Sequence, residues 1–437
     1  MFNFDIIPKL RPFAAAAIAL SLTRLSAQDT TRSQFLPRPE STPVDEIAFK
    51  QRSGLALPAG NLHDNPSAQS LSGNTVSAGP LAFRVGLTGS LEFNDNVRVE
   101  PVAREGILAS AGLNFDGTLR ISSRQELALV AVVSQRTPLS GPGKSERLFS
   151  VAPNSVLRFQ VWISSVRLTP FIKYSRQLDP VLSPIVSGTR ILDQAAFTKG
   201  LQADLPMSSG GVQLIGIHDR RSQKGDVALA QTSWTRSAGI RGIYNATTAH
   251  TLMLDTVFAR TRYVGGPSSR VRSQSVSVSD EWKIAEQKTL TAVYGYGEQR
   301  FEVPRTDGDT LRSGSPFMNL AFTHAPRQNL RLNWRVGRST QEGVASNFFR
   351  LSEASLTPEY KFAERLNASL TAAHQWIRES GPLGERATRL ALNASVSYAL
   401  AAKSDVRLMI DHTLKDSDIK LREYTQNRVT LLFNHQF

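Results

Sequence analysis

The chain has few residues in arrangements that could carry out a chemical reaction. Its seven histidines are scattered one to a segment, and none is paired at the spacing of a metal site. The candidates for a phospholipase-like Ser/His pair are His374 with a nearby serine, or His412. The chain has no cysteine, which excludes thiolate metal ligands and cysteine nucleophiles, and it has no Gly-x-Ser-x-Gly elbow. We therefore expect no catalysis, no metal site and no cofactor.

Charged residues instead recur on one face of segments in which polar and apolar residues alternate. Successive side chains of a strand point to opposite faces, so the polar positions form a common lining if the strands close into a barrel. The cations of this face are Arg84, Arg167, Lys173, Arg241, Lys283, Arg331, Arg335, Lys361, Arg407 and Arg428. Its acids are Glu92, Asp116, Asp204, Glu281, Glu353, Glu359 and Asp411.

The excess of cations on this face allows two interpretations. Rings of charge set the selectivity of a pore, so the lining predicts a weak preference for anions. Alternatively, the charges pair across strands and only solvate the wall. Five residues do not fit the facing pattern, and we expect them to lie beyond the hydrocarbon or to reflect errors of register: Arg236, Asp255, Arg260, Arg262 and Asp280.

The strands that must position these side chains begin near Phe83. Phe83, Val85 and Leu87 alternate with Arg84 and Gly86, and similar segments recur to the end of the chain. The pattern predicts an all-β, transmembrane, antiparallel up-and-down β-barrel of about 18 strands. Sixteen is the alternative count, because Ala152-Pro153-Asn154 interrupts one segment and proline cannot donate to a ladder.

The links between the predicted strands alternate in length. Short links near 285–288, 363–365 and 401–404 take turns with longer polar links, such as 302–313 and 415–422. Short turns at one end and longer loops at the other are typical of membrane barrels. A soluble β-sandwich or propeller is the alternative, but nothing in it forces this alternation.

The last strand has a strongly divided pattern. Val429, Leu431, Phe433 and Phe437 share one face, and polar residues share the other. An exposed terminal strand is an aggregation hazard, whereas a closed barrel uses it to remove the free edge. This end is similar to the C-terminal signature of Gram-negative outer-membrane barrels. We expect these four residues to close the barrel and to be recognised by the barrel-assembly machinery.

The beginning of the chain predicts export. Lys9 and Arg11 precede ten mostly apolar residues, and Leu25-Ser26-Ala27 follows as a cleavage site, which indicates a signal peptide over 1–27. Residues 28–80 are rich in Ser, Pro, Gly and Asn, and predict a disordered periplasmic or lumen-entering tail. The barrel is expected over 81–437, in the outer membrane of a Gram-negative cell.

One short motif carries a family resemblance. Leu91-Glu92-Phe93-Asn94-Asp95-Asn96-Val97 resembles the opening of uncharacterised outer-membrane β-barrel porins, some of which are linked to surface-polysaccharide systems. The resemblance implies a porin-like barrel and supplies no substrate or binding residue. From the residues alone, Asn94 to Asn96 predict a turn at the entry to a loop, and the alternative is a cation site at Asp95.

These observations favour a channel for passive diffusion of small hydrophilic, preferentially anionic solutes. A barrel for export or scaffolding of a surface polysaccharide is the alternative, since a basic lumen would suit an acidic polymer. A plugged receptor is disfavoured, because the tail is too short and too polar for a plug domain. The formal net charge of +14 indicates outer-membrane lipid and lipopolysaccharide as partners, since an exported protein rarely meets nucleic acid.

Overall fold

The computed structural model describes residues 76–97, 99, 101–141, 148–177, 193–224, 231–264, 270–304, 308–342, 346–382 and 384–437. The chain divides into two units, Met1–Thr42 and Pro43–Phe437, and all described residues belong to the second. The predicted signal peptide, and the predicted tail as far as residue 75, lie outside the described residues.

Strands make up nearly all of the described chain. They are β1 (Val76–Ala78), β2 (Leu81–Asn94), β3 (Gly106–Ser122), β4 (Gln125–Ser140), β5 (Leu148–Val151), β6 (Val156–Ile163), β7 (Val166–Gln177), β8 (Asp193–Met207), β9 (Gly210–Lys224), β10 (Gln231–Asn245), β11 (His250–Val264), β12 (Arg270–Ala285), β13 (Lys288–Phe301), β14 (Arg312–Arg327), β15 (Leu330–Glu342), β16 (Phe348–Ala363), β17 (Leu366–Glu379), β18 (Arg386–Ala401), β19 (Ser404–Ser417) and β20 (Tyr424–Gln436). A short 3-10 turn covers Lys420–Arg422. Within the described ranges, no helix has the length and apolar character needed to cross a membrane.

The strands form one closed antiparallel barrel. From β2 onward, each strand pairs with the next along the chain, except that β5 does not pair with β6, and β20 pairs with both β19 and β2. The segments β5 and β6 share one position between β4 and β7. The barrel therefore has eighteen positions, and the predicted fold class is confirmed.

The break between β5 and β6 lies where the sequence predicted an interruption. Ala152 N donates to Val132 O at 2.9 Å, and the hydroxyl of Ser155 accepts from Val132 N at 3.0 Å. Pro153 lies between these contacts, in a bulge where its missing N–H breaks no ladder hydrogen bond.

The links alternate strictly around the barrel. Links of two to four residues join the strands at one end, which we call the turn end; they are 79–80, 123–124, 164–165, 208–209, 246–249, 286–287, 328–329, 364–365 and 402–403. Longer links join them at the other end, which we call the loop end; they are 95–105, 141–147, 178–192, 225–230, 265–269, 302–311, 343–347, 380–385 and 418–423.

The seam between the first and last barrel strands runs from Gly86 opposite Gln436 to Asn94 opposite Arg428. At the turn end, β2 extends beyond the end of β20. There β1 turns back and pairs with Leu81–Phe83, although the sequence placed residues 76–80 in the tail. Because an unpaired strand edge is a template for aggregation, β1 protects the part of β2 that β20 does not reach.

At the loop end, the motif of the family resemblance fastens the seam. Asp95 accepts from the backbone and side-chain amides of Asn427, at 2.7 and 2.6 Å. The buried Gln426 side chain donates to Asn94 Oδ1 at 3.1 Å and to Asn96 O at 2.7 Å. Asn96 in turn donates to Thr425 O at 3.0 Å. Asn94, Asp95 and Asn96 thus bind the start of β20. The sequence predicted only a turn for these residues and did not indicate this role.

We predict that Gln426→Ala weakens this seam. The variant removes the two buried hydrogen bonds that Gln426 donates, although Asn94 Oδ1 still accepts from Asn96 N and Asn96 O from Val99 N. At about 0.5 to 1.5 kcal/mol for each bond, the loss should be about 1 to 3 kcal/mol. Thermal unfolding in detergent micelles, followed as loss of the compact electrophoretic form, measures the effect. Gln328→Ala, at an exposed turn-end link, is the control. Equal midpoints for the two variants would contradict the role of the motif in closure.

Candidate functional site: the inner face of the barrel

The two faces of the barrel wall differ in polarity. The outer face exposes large apolar side chains, as in the row formed by Val396, Leu408, Leu431 and Leu91 on four neighbouring strands. The alternate positions face inward, and many of these polar side chains are buried, among them Gln375 and Ser279. This is the reverse of a soluble protein, in which the apolar face is buried.

All seventeen residues that the sequence assigned to the lining lie on this inner face. The register shows it, since they fall on the alternate positions opposite one another, as with Arg241 opposite Asp255 and Asn393 opposite Asp411. The four residues assigned to closure, Val429, Leu431, Phe433 and Phe437, have side chains that are 40 to 51% exposed.

Ion pairs across strands occupy part of the inner lining. Arg167 Nε lies 2.9 Å from Asp204, and Arg428 lies 3.7 Å from Asp411. Arg84 pairs with Asp116. These contacts follow the second interpretation of the lining, in which the charges pair within the wall.

Glu92 has a partner that the sequence did not indicate. Arg136, on β4, donates to its carboxylate at 2.6 Å from two strands away. The long side chain of arginine can reach across two strands. The assignment of residues to one face does not show which of them make such a contact. Glu92 therefore belongs to the paired part of the lining.

The ion pair between Arg241 and Asp255 is almost completely buried. Arg241 Nε donates to Asp255 at 2.6 Å, and the two side chains are 5% and 1% exposed. Arg241 Nη1 also lies 3.5 Å from Gln213 Oε1. Asp255 follows the second alternative given for it, an error of register, because it lies on the inner face opposite Arg241. Removing one partner of such a pair leaves a buried charge, so this contact fixes β10 against β11.

The other four residues that did not fit the facing pattern lie on the outer face. Arg236, Arg260 and Arg262 are exposed near the loop end. Asp280 lies toward the turn end, and its carboxylate is 3.5 Å from His250 Nδ1.

An apolar cluster interrupts the polar lining at mid-height. Val156, Phe171, Ile215, Ile217 and Val257 pack together, although they come from four different strands. The ring of Phe171 lies over Gly200, where any Cβ would collide with it. The inner face therefore has an apolar side, and the alternation of the sequence does not show it.

A cavity of about 540 Å³ opens on the inner face at the turn end. Four of the predicted lining residues border it, namely Arg331, Glu359, Lys361 and Arg407. Glu359 accepts from Asn333 at 2.9 Å. Arg331 and Lys361 are exposed, as are Arg335 and Lys283 on the same face. Cations are thus most accessible at this end of the lumen.

The loop end contains a buried ionic cluster that the sequence did not indicate. Lys415 Nζ lies 2.8 Å from Glu385, and both side chains are fully buried. Arg422 contacts Glu379 at 3.0 Å and Glu385 at 3.1 Å. Burial alone would lower the pKa of Arg422, but the charges and hydrogen bonds of Glu379 and Glu385 outweigh it and raise the pKa. The cluster ties link 380–385 to link 418–423.

The candidate catalytic histidines lie on the outer face in unrelated surroundings. The His374 ring packs edge-on against Trp376. His412 Nδ1 lies 2.7 Å from Asn427 Oδ1, beside the seam. Among the described residues, no group of three His, Asp or Glu side chains could hold a metal ion.

Comparisons with known proteins find only a structural likeness. No family model and no curated protein matches the chain. It is similar to the outer membrane protein OpdK of Pseudomonas aeruginosa, with 12% identity over 81% of this chain and 99% of that chain, and a TM-score of 0.47. OccAB3 of Acinetobacter baumannii is 11% identical over 81% of this chain and 99% of that chain, with a TM-score of 0.47. The siderophore receptor PirA of Pseudomonas aeruginosa is 10% identical over 81% of this chain and 80% of that chain, with a TM-score of 0.45. The function must therefore be inferred from the chain's own residues.

We predict that Lys415→Met loosens the loop end. Glu385 would keep Arg422 but lose its buried ammonium partner, which should destabilise the fold by about 3 to 5 kcal/mol. Hydrogen exchange of segments 380–385 and 418–423 should speed up. Lys420→Met removes an exposed lysine from the same link and should have little effect. Equal exchange in the two variants would contradict the role of the cluster.

Proposed function

We propose that the chain forms a porin-like channel in the outer membrane of a Gram-negative cell, for passive diffusion of small hydrophilic solutes. The observation that carries the proposal is the inverted polarity of the closed barrel. An apolar outer face and a polar inner face in the same eighteen positions suit a wall between hydrocarbon and water.

The outer face supports insertion into a bilayer. A bilayer cannot hydrate unpaired backbone groups, so strands can cross it only in a closed sheet. Aromatic side chains on the outer face, such as Tyr244, Tyr294, Trp334, Trp376 and Tyr398, are 45 to 67% exposed. Aromatic residues are enriched at both interfaces of membrane barrels. Water would not favour so much exposed aromatic surface.

The size of the barrel supports a channel. Barrels of 16 to 18 strands leave an aqueous passage, whereas eight strands are filled by their own side chains. The cavity at the turn end is consistent with water-filled space inside the wall. Polar side chains line most of the inner face, so the solutes that cross should be hydrophilic.

The distribution of ion pairs supports a weak preference for anions. Pairing with Asp116, Asp204, Asp255 and Asp411 offsets four of the ten lining cations. Lys283, Arg331, Arg335 and Lys361 remain exposed at the turn end, where their field acts on entering ions. Glu281 and Glu359 share that region, so the excess of cations is modest.

The last strand supports recognition by the barrel-assembly machinery. Val429, Leu431 and Phe433 present an apolar ridge along the outside of β20, and Phe437 N donates to Val85 O at 3.0 Å. A peptide with this pattern can add as a strand to another sheet edge before the barrel closes.

We predict that the pore prefers chloride to potassium, as measured by the reversal potential in a planar bilayer with a salt gradient. Changing Arg331, Arg335 and Lys361 to glutamine should move that potential toward cation preference, because the field at the turn end is reduced. Changing Arg236, Arg260 and Arg272 to glutamine removes the same number of charges from the outer face and should leave the reversal potential unchanged. Cation preference in the unchanged protein would contradict the proposed selectivity, and absence of conductance would contradict the channel.

A further inference from the structure

The outer face carries a line of basic side chains that the proposed channel does not use. On β10 to β14 arginine lies opposite arginine: Arg236 pairs in register with Arg260, Arg260 with Arg272, Arg272 with Arg300, and Arg300 with Arg312. We call these five residues the outer arginine row. At about 4.8 Å between neighbouring strands, the row is roughly 19 Å long.

Further basic residues extend the row on both sides. His218 lies opposite Arg236, and Lys199 lies opposite His218, on β9 and β8. One step nearer to the loop end, Arg262 lies opposite Arg270. Arg220 stacks on Trp234, 5.8 Å from the centre of the ring. The basic surface thus spans seven strands and is two residues deep.

A shorter row of the same kind lies elsewhere on the outer face. Arg350 lies opposite Arg378, and Arg378 lies opposite Arg386, on β16 to β18 at the loop end. Two separate strand groups therefore place arginine opposite arginine at the same end of the barrel.

The outer arginine row follows the margin of the apolar band. Just below it, toward the turn end, the outer face exposes Phe258, Ile240, Val278, Tyr294 and Tyr296. The row therefore lies where the headgroups of the surrounding lipid leaflet would begin. This step rests on the membrane insertion argued under the proposed function.

The row is electrostatically unfavourable by itself. Like charges directly opposite each other on neighbouring strands are destabilising. Glu298 relieves part of the repulsion, since it accepts from Arg300 at 2.8 Å and from Arg312 at 2.6 Å with the same oxygen. One carboxylate for two guanidinium groups leaves a net positive surface, which an external anion would neutralise.

The chemistry of the row selects phosphate as that anion. A guanidinium group binds phosphate through two parallel hydrogen bonds, and arginine is preferred over lysine for this reason. Anionic headgroups attract basic residues at a membrane surface. The guanidinium groups of the row lie at one height, next to exposed aromatic and aliphatic side chains. This arrangement fits a ligand whose phosphate groups are attached to acyl chains. A free phosphate would make no contact with the apolar side chains beside the row.

We propose that the outer arginine row binds the phosphate groups of a saccharide lipid of the lipopolysaccharide class, in the leaflet that surrounds the loop end. The full chain is prepared free of lipid in a zwitterionic detergent and mixed with bisphosphorylated lipid A. Native mass spectrometry then measures the bound fraction as a function of lipid concentration. Lipid A without phosphates and inorganic pyrophosphate are the comparison ligands.

We predict that changing Arg236, Arg260 and Arg272 to glutamine weakens binding of bisphosphorylated lipid A roughly a hundredfold. The single Arg272→Gln variant should show a smaller loss in the same direction, which keeps the test informative if the triple variant folds poorly. Changing Lys288, Arg365 and Lys403 to glutamine removes three exposed charges at the turn end and should leave binding unchanged.

Three results would overturn the proposal: equal binding by the row variant and the turn-end variant, equal binding of lipid A with and without phosphates, or displacement of lipid A by equimolar pyrophosphate. The reversal potential separates this proposal from the channel. The row variants should have the reversal potential of the unchanged protein. A protein without conductance would contradict the channel but could still bind the lipid.

Discussion

The need to pair the backbone N–H and C=O groups of the strands is the constraint on which the rest of the structure depends. In hydrocarbon an unpaired group has no water to bind, so the sheet must close on itself. Closure depends on the contact between β2 and β20, which come from opposite ends of the described chain. The side chains of Asn94, Asp95 and Asn96 reinforce that contact at one end, and β1 protects the uncovered edge of β2 at the other.

Closure also decides where charge can be placed. Charges on the inner face meet one another, and several pair across neighbouring strands, with Arg241 and Asp255 buried almost completely. Arginines on the outer face gather at the loop end, beyond the apolar band. The two ends therefore differ: the turn end presents exposed cations to the lumen, and the loop end combines a buried ionic cluster inside with arginine rows outside. Both ends are basic, but the inner cations would meet solutes and the outer ones would meet lipid.

The strand pattern and fold class could be predicted from the sequence, because alternation and link length are local signals. The break at Pro153 could be predicted for the same reason. The face on which Asp255 lies could not be predicted. The inner side of β11 carries Met253, Val257 and Tyr263, and apolar residues on both faces of this strand hide the alternation. Contacts such as Gln426 with Asn96, or Lys415 with Glu385, join residues far apart in the chain, so no local pattern reveals them.

The central claim is that one face of the wall meets hydrocarbon and the other meets water. The absence of cysteine allows a direct measurement with two neighbouring positions, Val396 on the outer face and Ser397 on the inner face. Val396→Cys and Ser397→Cys variants are labelled with a fluorophore and placed in bilayers that contain brominated lipids. Lipid quenching at 396 but not at 397, with water-soluble thiol reagents reacting only at 397, is the result that the account predicts. Equal quenching and equal reactivity at the two positions would contradict it.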